Sequence, residues 1–261
     1  MARRARRTPA PTTTEELVQL ALDLDLTALA DALPNLLSGA EISSPSFSDF
    51  LLSALQSEAT ARSTRRLQRS LKRSRLGVVE GLEGFDFSAR PELDPRKVKE
   101  LLSCRFLEEK RNVLCLGRPG LGKTRVAKAV LHAACLAGYS VLATRTAEMI
   151  EDLNASHADG TFLRAFRRYL KPDVILMDEF AYQPFSVEAT NYIFRLVSAR
   201  HRQGSIVLTA NTGFTHWKTL FPSESTAVAT ADRLVDDATI LRFTGKSFRK
   251  PREITGAPLD D

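Results

Sequence analysis

Cysteine is scarce in this chain. Cys104, Cys115 and Cys135 are three among 261 residues, an odd number without the paired spacing of a zinc site or a disulfide framework, so they read as reduced packing residues of a cytoplasmic protein. No apolar run approaches the roughly 18 to 20 residues that cross a bilayer, which excludes a helical membrane span. An apolar segment is also missing after the arginine-rich start. Thr8-Pro9-Ala10-Pro11-Thr12-Thr13-Thr14-Glu15-Glu16 stands where a signal peptide needs its hydrophobic stretch, so export is not expected. Internal repeats are absent as well. What is there, 43% hydrophobic and 26% charged residues, suits one large or two modest soluble domains with a substantial core.

Acidic residues are missing from one long stretch. Between Ala59 and Val79 there is no Asp or Glu, while Arg62, Arg65, Arg66, Arg69, Lys72, Arg73 and Arg75 crowd the same segment. The remaining cations of the first 78 residues form an arm, Arg3, Arg4, Arg6 and Arg7. Positions 62, 65, 66, 69 and 73 recur at helical spacing, so one helix presents a continuous basic stripe suited to a phosphate backbone. A merely solvated helix face is the other reading. It gains from mixed i,i+4 pairs and loses from like charges, which counts against it here. The net charge of +6 and an isoelectric point near 9.4 also favour a polyanionic partner.

Periodicity and breakers divide the rest. Residues 15–37 and 46–76 read as helical, the second opened by Ser46 as N-cap, and no strand signal appears there. Residues 1–78 are therefore expected to form a small helical domain, 79–93 a connector, 94–250 a second, larger domain and 251–261 a tail. A helix over 94–108 leads to a strand at 112–116. Strands near 140–144, 174–178, 205–210 and 239–243 then alternate with helices near 124–137, 146–154, 159–170 and 186–203. Such alternation predicts an α/β domain with a mostly parallel sheet covered by helices on both faces. Residues 212–227 read as a loop.

The chemistry is carried by Gly117-Arg118-Pro119-Gly120-Leu121-Gly122-Lys123-Thr124, a full G-x-x-x-x-G-K-[ST] loop between a predicted strand and a predicted helix. Its glycines let backbone N–H groups turn toward phosphates, and the helix N-terminus adds partial positive charge. Lys123 is expected to reach the β/γ-phosphates of ATP and Thr124 to ligate Mg²⁺. About 55 residues on, the strand at 174–178 ends in Asp178-Glu179. Asp178 suits Mg²⁺ held through water, and Glu179 suits a base that polarises the attacking water. Asn211 ends the next strand, either as a γ-phosphate contact or as an ordinary turn residue before Gly213. An arginine supplied in trans would complete the site. Arg233 is the first candidate and Arg249 the second, although Arg233 has Asp232, Asp236 and Asp237 as possible surface partners.

Taken in order, the phosphate loop, Ile175-Leu176-Met177-Asp178-Glu179-Phe180-Ala181-Tyr182-Gln183-Pro184-Phe185, Thr209-Ala210-Asn211-Thr212-Gly213-Phe214-Thr215-His216-Trp217, Ala231-Asp232-Arg233-Leu234-Val235 and Thr244-Gly245-Lys246-Ser247-Phe248-Arg249 resemble the IstB-like ATPases. These are transposition helpers of bacterial insertion sequences, related to the DnaC helicase loader within the AAA+ superfamily. The connector Phe85-Asp86-Phe87 extends the resemblance upstream. It implies a five-stranded AAA+ core, nucleotide-dependent homo-oligomers and DNA binding by the helical N-terminal domain. It also implies that Asn211 is the sensor residue and Arg233 the arginine finger. Ala181 departs from the family's usual Gly, 221–226 replaces a typical Gly-Asp turn, and the arm before Thr8 is not a standard feature. The expected function is an ATPase that assembles on double-stranded DNA and recruits or stimulates an IstA-like transposase. The alternatives are a replicative helicase loader and a DNA-binding regulator that retains a phosphate loop.

Overall fold

In a computed structural model, residues 12–245 and 247 are described, and they form two compact units that divide between Arg69 and Ser70. The arginine arm and Arg249 lie outside the described residues. The first unit is helical: α1 (Thr13–Asp23), α2 (Thr27–Ser43) and most of α3 (Phe47–Ser74). Thr12 and Glu15 close a capping box at the start of α1. Ser46 Oγ accepts the Asp49 N–H at 3.1 Å at the start of α3. The single helix expected over 15–37 is instead two, because the chain turns at Asp25, whose φ is +57°. α2 has no side-chain cap of its own. Its first N–H groups, from Ala28 and Leu29, donate at 2.9 and 3.0 Å to the buried carboxylate of Glu58, 30 and 29 residues away. A cap supplied from another helix leaves no local signal in the sequence.

The second unit carries the sheet. Five strands, β1 (Val113–Gly117), β2 (Val141–Arg145), β3 (Val174–Phe180), β4 (Ser205–Ala210) and β5 (Thr239–Phe243), lie in the order β2-β3-β4-β1-β5, with every pairing parallel. Strands covered on both faces read as near-continuous apolar runs, and Leu114, Ile175 and Leu208 are indeed fully buried. Each contributes roughly 1.5–3 kcal/mol by leaving water. The covering helices are α4 (Pro95–Leu102), α5 (Arg105–Glu108), α6 (Lys123–Leu136), α7 (Thr146–Ala158), α8 (Phe162–Leu170), α9 (Val187–Arg200), α10 (Phe214–Leu220) and α11 (Glu224–Val235). The helix expected over 94–108 breaks at Cys104, which takes φ +63°. The loop expected over 212–227 holds α10 and the start of α11, and Trp217 of α10 packs against Phe180 and Phe214 in the core. Aromatic burial there outweighs a local sequence rich in Thr, Ser and Gly. No helix among the described residues is long and apolar enough to cross a membrane.

One buried cation ties the lower edge of the sheet together. Arg200, 2% exposed, donates to the carbonyls of Tyr169, Leu170, Asp173 and Ser205 at 2.9–3.1 Å. Burial pulls its pKa down to about 10, with Asp173 opposing, so it stays charged at neutral pH. Arg200→Leu is expected to destabilise the protein by about 3 kcal/mol or more, because the buried carbonyls it serves lose a charged donor. A denaturant-unfolding curve with an unshifted midpoint would contradict this.

Candidate active site

Strand order decides which tips meet. β4 lies between β3 and β1, so its end falls between the Asp-Glu pair that closes β3 and the phosphate loop that follows β1. The loop requires its glycines. A Cβ on Gly117, at φ +152°, would sit 2.1 Å from the Phe243 carbonyl oxygen, and one on Gly122, at φ +91°, would sit 2.6 Å from the Phe85 ring. Behind the loop, buried Arg90 donates to the Leu121 carbonyl at 3.0 Å. On the outer side Arg125 donates to the carbonyls of Gly81 and Glu83, both at 2.9 Å, and lies over the Phe85 ring. The connector is thereby fastened to the first turn of α6.

Lys123 Nζ donates to the carbonyls of Gly117 and Arg118 at 2.6 and 2.8 Å and to Asn211 Oδ1 at 2.9 Å. Thr124 Oγ1 donates to Asp178 Oδ1 at 2.9 Å. Thus the structure brings together the loop, Lys123, Thr124, Asp178 and Asn211. Consecutive residues of a regular strand face opposite sides of a sheet, which poses a problem for an Asp178-Glu179 pair. A bulge between Met177 and Phe180 relieves it: Met177 pairs with Leu208 and Phe180 with Ala210, and Glu179 takes φ +55°. Glu179 then lines the same cleft of about 750 Å³ as Gly120, Lys123, Thr124 and Asn211.

Two residues that sequence reasoning missed hold the acids. The Thr209 hydroxyl donates to Asp178 Oδ1 and accepts the Glu179 N–H at 3.0 Å. Arg145, at the tip of β2, places its Nε 3.8 Å from Glu179 Oε2. The signal for Thr209 was present, since a polar residue ending an apolar strand beside a Walker-type acid has a hydroxyl to place. Arg145 had no signal, as only strand order makes it a neighbour.

Arg233 lies elsewhere. Near the end of α11 its Nη1 donates to the Ala229 carbonyl at 3.0 Å and its guanidinium covers the Phe194 ring at 4.9 Å. None of Asp232, Asp236 and Asp237 forms an ion pair with it; Asp236 takes His201 and Arg202 instead, at 2.7 and 3.1 Å. The basic stripe on α3 is not uniform either. Arg62 and Arg65 both bind Glu58, at 2.8 and 3.0 Å, and Arg65 reaches Thr27, so both are tied into the helical unit. Burial opposes the charge on Glu58, but the Leu29 N–H, Arg62 and the Ala28 N–H outweigh it and hold its carboxyl below the ordinary range. Arg66, Arg69, Lys72, Arg73 and Arg75 are exposed.

The residues fit a nucleoside triphosphate with a divalent cation. The loop is a cradle that a single Cβ at Gly117 or Gly122 would fill, the Lys123 ammonium stands at its rim, and a Thr hydroxyl and an Asp oxygen lie within hydrogen-bond distance of each other beside it. Among the described residues no cluster of three or more His, Cys, Asp or Glu side chains forms a metal cage. That suits Mg²⁺, which takes one or two protein oxygens and completes its shell with phosphate and water.

A phosphate loop after β1, an acidic pair at the β3 tip and a parallel sheet in the order β2-β3-β4-β1-β5 define an AAA+ P-loop protein. The crystal structure of DnaI shares this fold, with a TM-score of 0.53 at 18% identity over 65% of this chain and 92% of DnaI. More specifically, the chain belongs to the family described as IstB-like ATP binding proteins, whose profile matches residues 19–255. The protein named as the ATP-binding protein of insertion sequence IS21 in Pseudomonas aeruginosa is 35% identical, over 90% of this chain and 88% of its own length. Its counterpart in insertion sequence IS5376 of Geobacillus stearothermophilus is 31% identical, over 78% and 81%. The chain is therefore an IstB-like, ATP-binding protein.

Proposed function

We propose that the protein is an ATPase that assembles on double-stranded DNA and recruits or stimulates a partner transposase. Residues 1–78 would serve as the DNA-binding part, 79–93 as the connector and 94–250 as the ATPase part. The insertion-sequence relatives support the transposition setting. The observation that carries the ATPase mechanism is the convergence of Lys123, Thr124, Glu179 and Asn211 on one cleft, with Asp178 hydrogen-bonded to Thr124.

Assembly follows from where Arg233 sits. Its carbonyl lies 3.5 Å from Asn112 Nδ2, just before β1, whereas the phosphate loop begins at Gly117, the last residue of that strand. Five residues at about 3.3 Å each put some 16 Å between them, more than one arginine side chain can span. Arg233 therefore serves a neighbour's nucleotide rather than its own. ATP is held by the loop N–H groups and Lys123 of one subunit and by Arg233 of the next, which joins the two. Thr124 and Asp178 would hold Mg²⁺, which supplies charge neutralisation across the β- and γ-phosphates. Glu179 accepts a hydrogen bond from water and so turns its lone pair toward the γ-phosphorus. The water oxygen bonds to the γ-phosphorus as the bond from that phosphorus to the β-bridging oxygen breaks, and the water proton passes to the Glu179 carboxylate, giving ADP and phosphate. Asn211, already bonded to Lys123, is placed to register whether the γ-phosphate is present. A helicase loader would use the same chemistry, so the transposition reading rests on the insertion-sequence relatives; a regulator that does not hydrolyse ATP has no use for the Asp178-Thr209-Glu179 arrangement.

Glu179→Gln is expected to bind ATP and duplex DNA while turnover falls by roughly 10² or more, since the amide keeps the shape and loses the charge that polarises water. The check is ATP turnover with and without duplex, beside ATP affinity and DNA residence time. Parental turnover in this variant would remove Glu179 from the mechanism.

A further inference from the structure

A second acid-free stretch lies inside the ATPase unit. Residues 160–172 contain Arg164, Arg167, Arg168 and Lys171 and no Asp or Glu. α8 and its C-cap Lys171 set these cations at i, i+3, i+4 and i+7, one face of a helix. The opposite face is fully committed to the core. Phe166 and Tyr169 are buried, and Phe162 stacks on Phe166 with ring centroids 5.4 Å apart. Packing therefore fixes which way the charges point. Beside the helix, Arg195 of α9 lays its guanidinium over the Phe162 and Phe166 rings at 5.1 and 5.3 Å.

Among the described residues, only Arg168 of these has an acidic partner, Asp152, which also accepts the Tyr169 hydroxyl at 2.7 Å. Arg164, Arg167 and Lys171 are exposed and make no ion pair with another described residue. With Gly160, Thr161 and Leu163 they line an open cleft of about 690 Å³. Like charges three and four residues apart destabilise a helix by a few tenths of a kcal/mol per pair, and nothing in the ATPase chemistry described above uses them.

We propose that this face of α8 is a contact for the phosphate backbone of DNA, separate from the stripe on α3. Guanidinium groups match phosphate oxygens two at a time, and helical spacing offers them along one line. An acidic protein segment is the weaker match, because Leu163 is the sole large apolar side chain exposed on this helix and supplies no aromatic anchor of the kind that dominates protein interfaces. The proposal rests on the DNA-binding reading and deepens it. Every subunit that ATP adds to an assembly brings one more α8 to the duplex, so DNA affinity rises with assembly.

The test uses the full chain with a non-hydrolysable ATP analogue and a labelled duplex, titrated at several salt concentrations. The α8 variant is Arg164→Gln/Arg167→Gln/Lys171→Gln, with Arg168 kept because it holds Asp152; the comparison variant is Arg66→Gln/Arg69→Gln/Arg73→Gln on α3. The α8 variant is expected to keep its ATP affinity and to lose roughly 2 to 3 from the magnitude of the slope of log K against log salt, about 0.9 for each phosphate contact. An unchanged slope for the α8 variant beside a flattened slope for the α3 variant overturns the α8 site and leaves the DNA reading standing. A parent protein that binds no duplex overturns both. Normal DNA binding combined with lost binding of the transposase overturns the site in favour of a protein partner. Should the triple variant fail to fold, Arg167→Glu decides by the same slope, with a loss of about one or more expected.

Discussion

Arg233→Ala is expected to lower ATP hydrolysis by on the order of 10³ or more while the isolated subunit binds nucleotide almost normally. The reason is positional. Arg233 is anchored beside Asn112, at the opposite end of β1 from its own phosphate loop, with its guanidinium over Phe194 and one N–H on the Ala229 carbonyl. Among the described residues no carboxylate pairs with it, and Asp236 is taken by His201 and Arg202. Mixing Arg233→Ala with Glu179→Gln sharpens the test. Some interfaces then pair the intact Glu179 site of one subunit with the intact Arg233 of another, so part of the activity returns. Normal hydrolysis by Arg233→Ala in the presence of DNA would sink the assignment and make Arg249 the next residue to change. Failure of the mixture to regain activity, despite proven subunit exchange, would move the defect within one subunit.

Lys123→Ala is expected to abolish ATP binding and with it ATP-dependent assembly on DNA. Lys123 is the cation within the phosphate cradle, and its ammonium already lies 2.6 and 2.8 Å from two loop carbonyls. Those carbonyls aim it, and phosphate oxygens would then complete its three donors in place of the Asn211 contact. Removing it also leaves Asn211 Oδ1 without the partner it holds at 2.9 Å. Direct titration with ATP is the measurement, and an unfolding midpoint close to the parental one shows that the loss is not a folding defect. Unchanged ATP affinity would refute the assignment of the loop.

Much of the nucleotide site was legible in the sequence because it is built from local rules. Gly117 and Gly122 occupy backbone conformations that a side chain would block, the apolar run before them has to be a buried strand, and Lys123-Thr124 has to open a helix. Asp178 and Glu179 were legible as acids ending an apolar strand. Their geometry was not, since Glu179 lines the cleft while Asp178 bonds Thr124 beside it, in a bulge whose register is set by pairing with β4. The alternation of strands and helices gave a mostly parallel sheet. The break at Asp25 was hidden because the donors of α2 are satisfied by Glu58, a residue of α3. α10 was hidden for a related reason: Trp217 and Phe214 gain more by joining Phe180 in the core than their polar neighbours lose by becoming helical.

The sequence by itself determined the class of chemistry, because a phosphate cradle, a cation at its rim and a carboxylate pair depend on residue type and short spacing. The tertiary structure alone decided who touches whom. Strand order set β4 between β1 and β3, which gave Thr209 both acids and gave Asn211 the lysine. Helix packing set the Arg233 backbone beside Asn112, just before the start of β1. Burial sorted the cations as well: Arg200 serves carbonyls in the interior and Arg62 and Arg65 serve Glu58, while Arg164, Arg167 and Lys171 face water. A charge reads the same in a sequence wherever it stands. Its role depends on whether folding supplies a partner close enough to offset its desolvation, and that is a property of contacts between residues far apart in the chain.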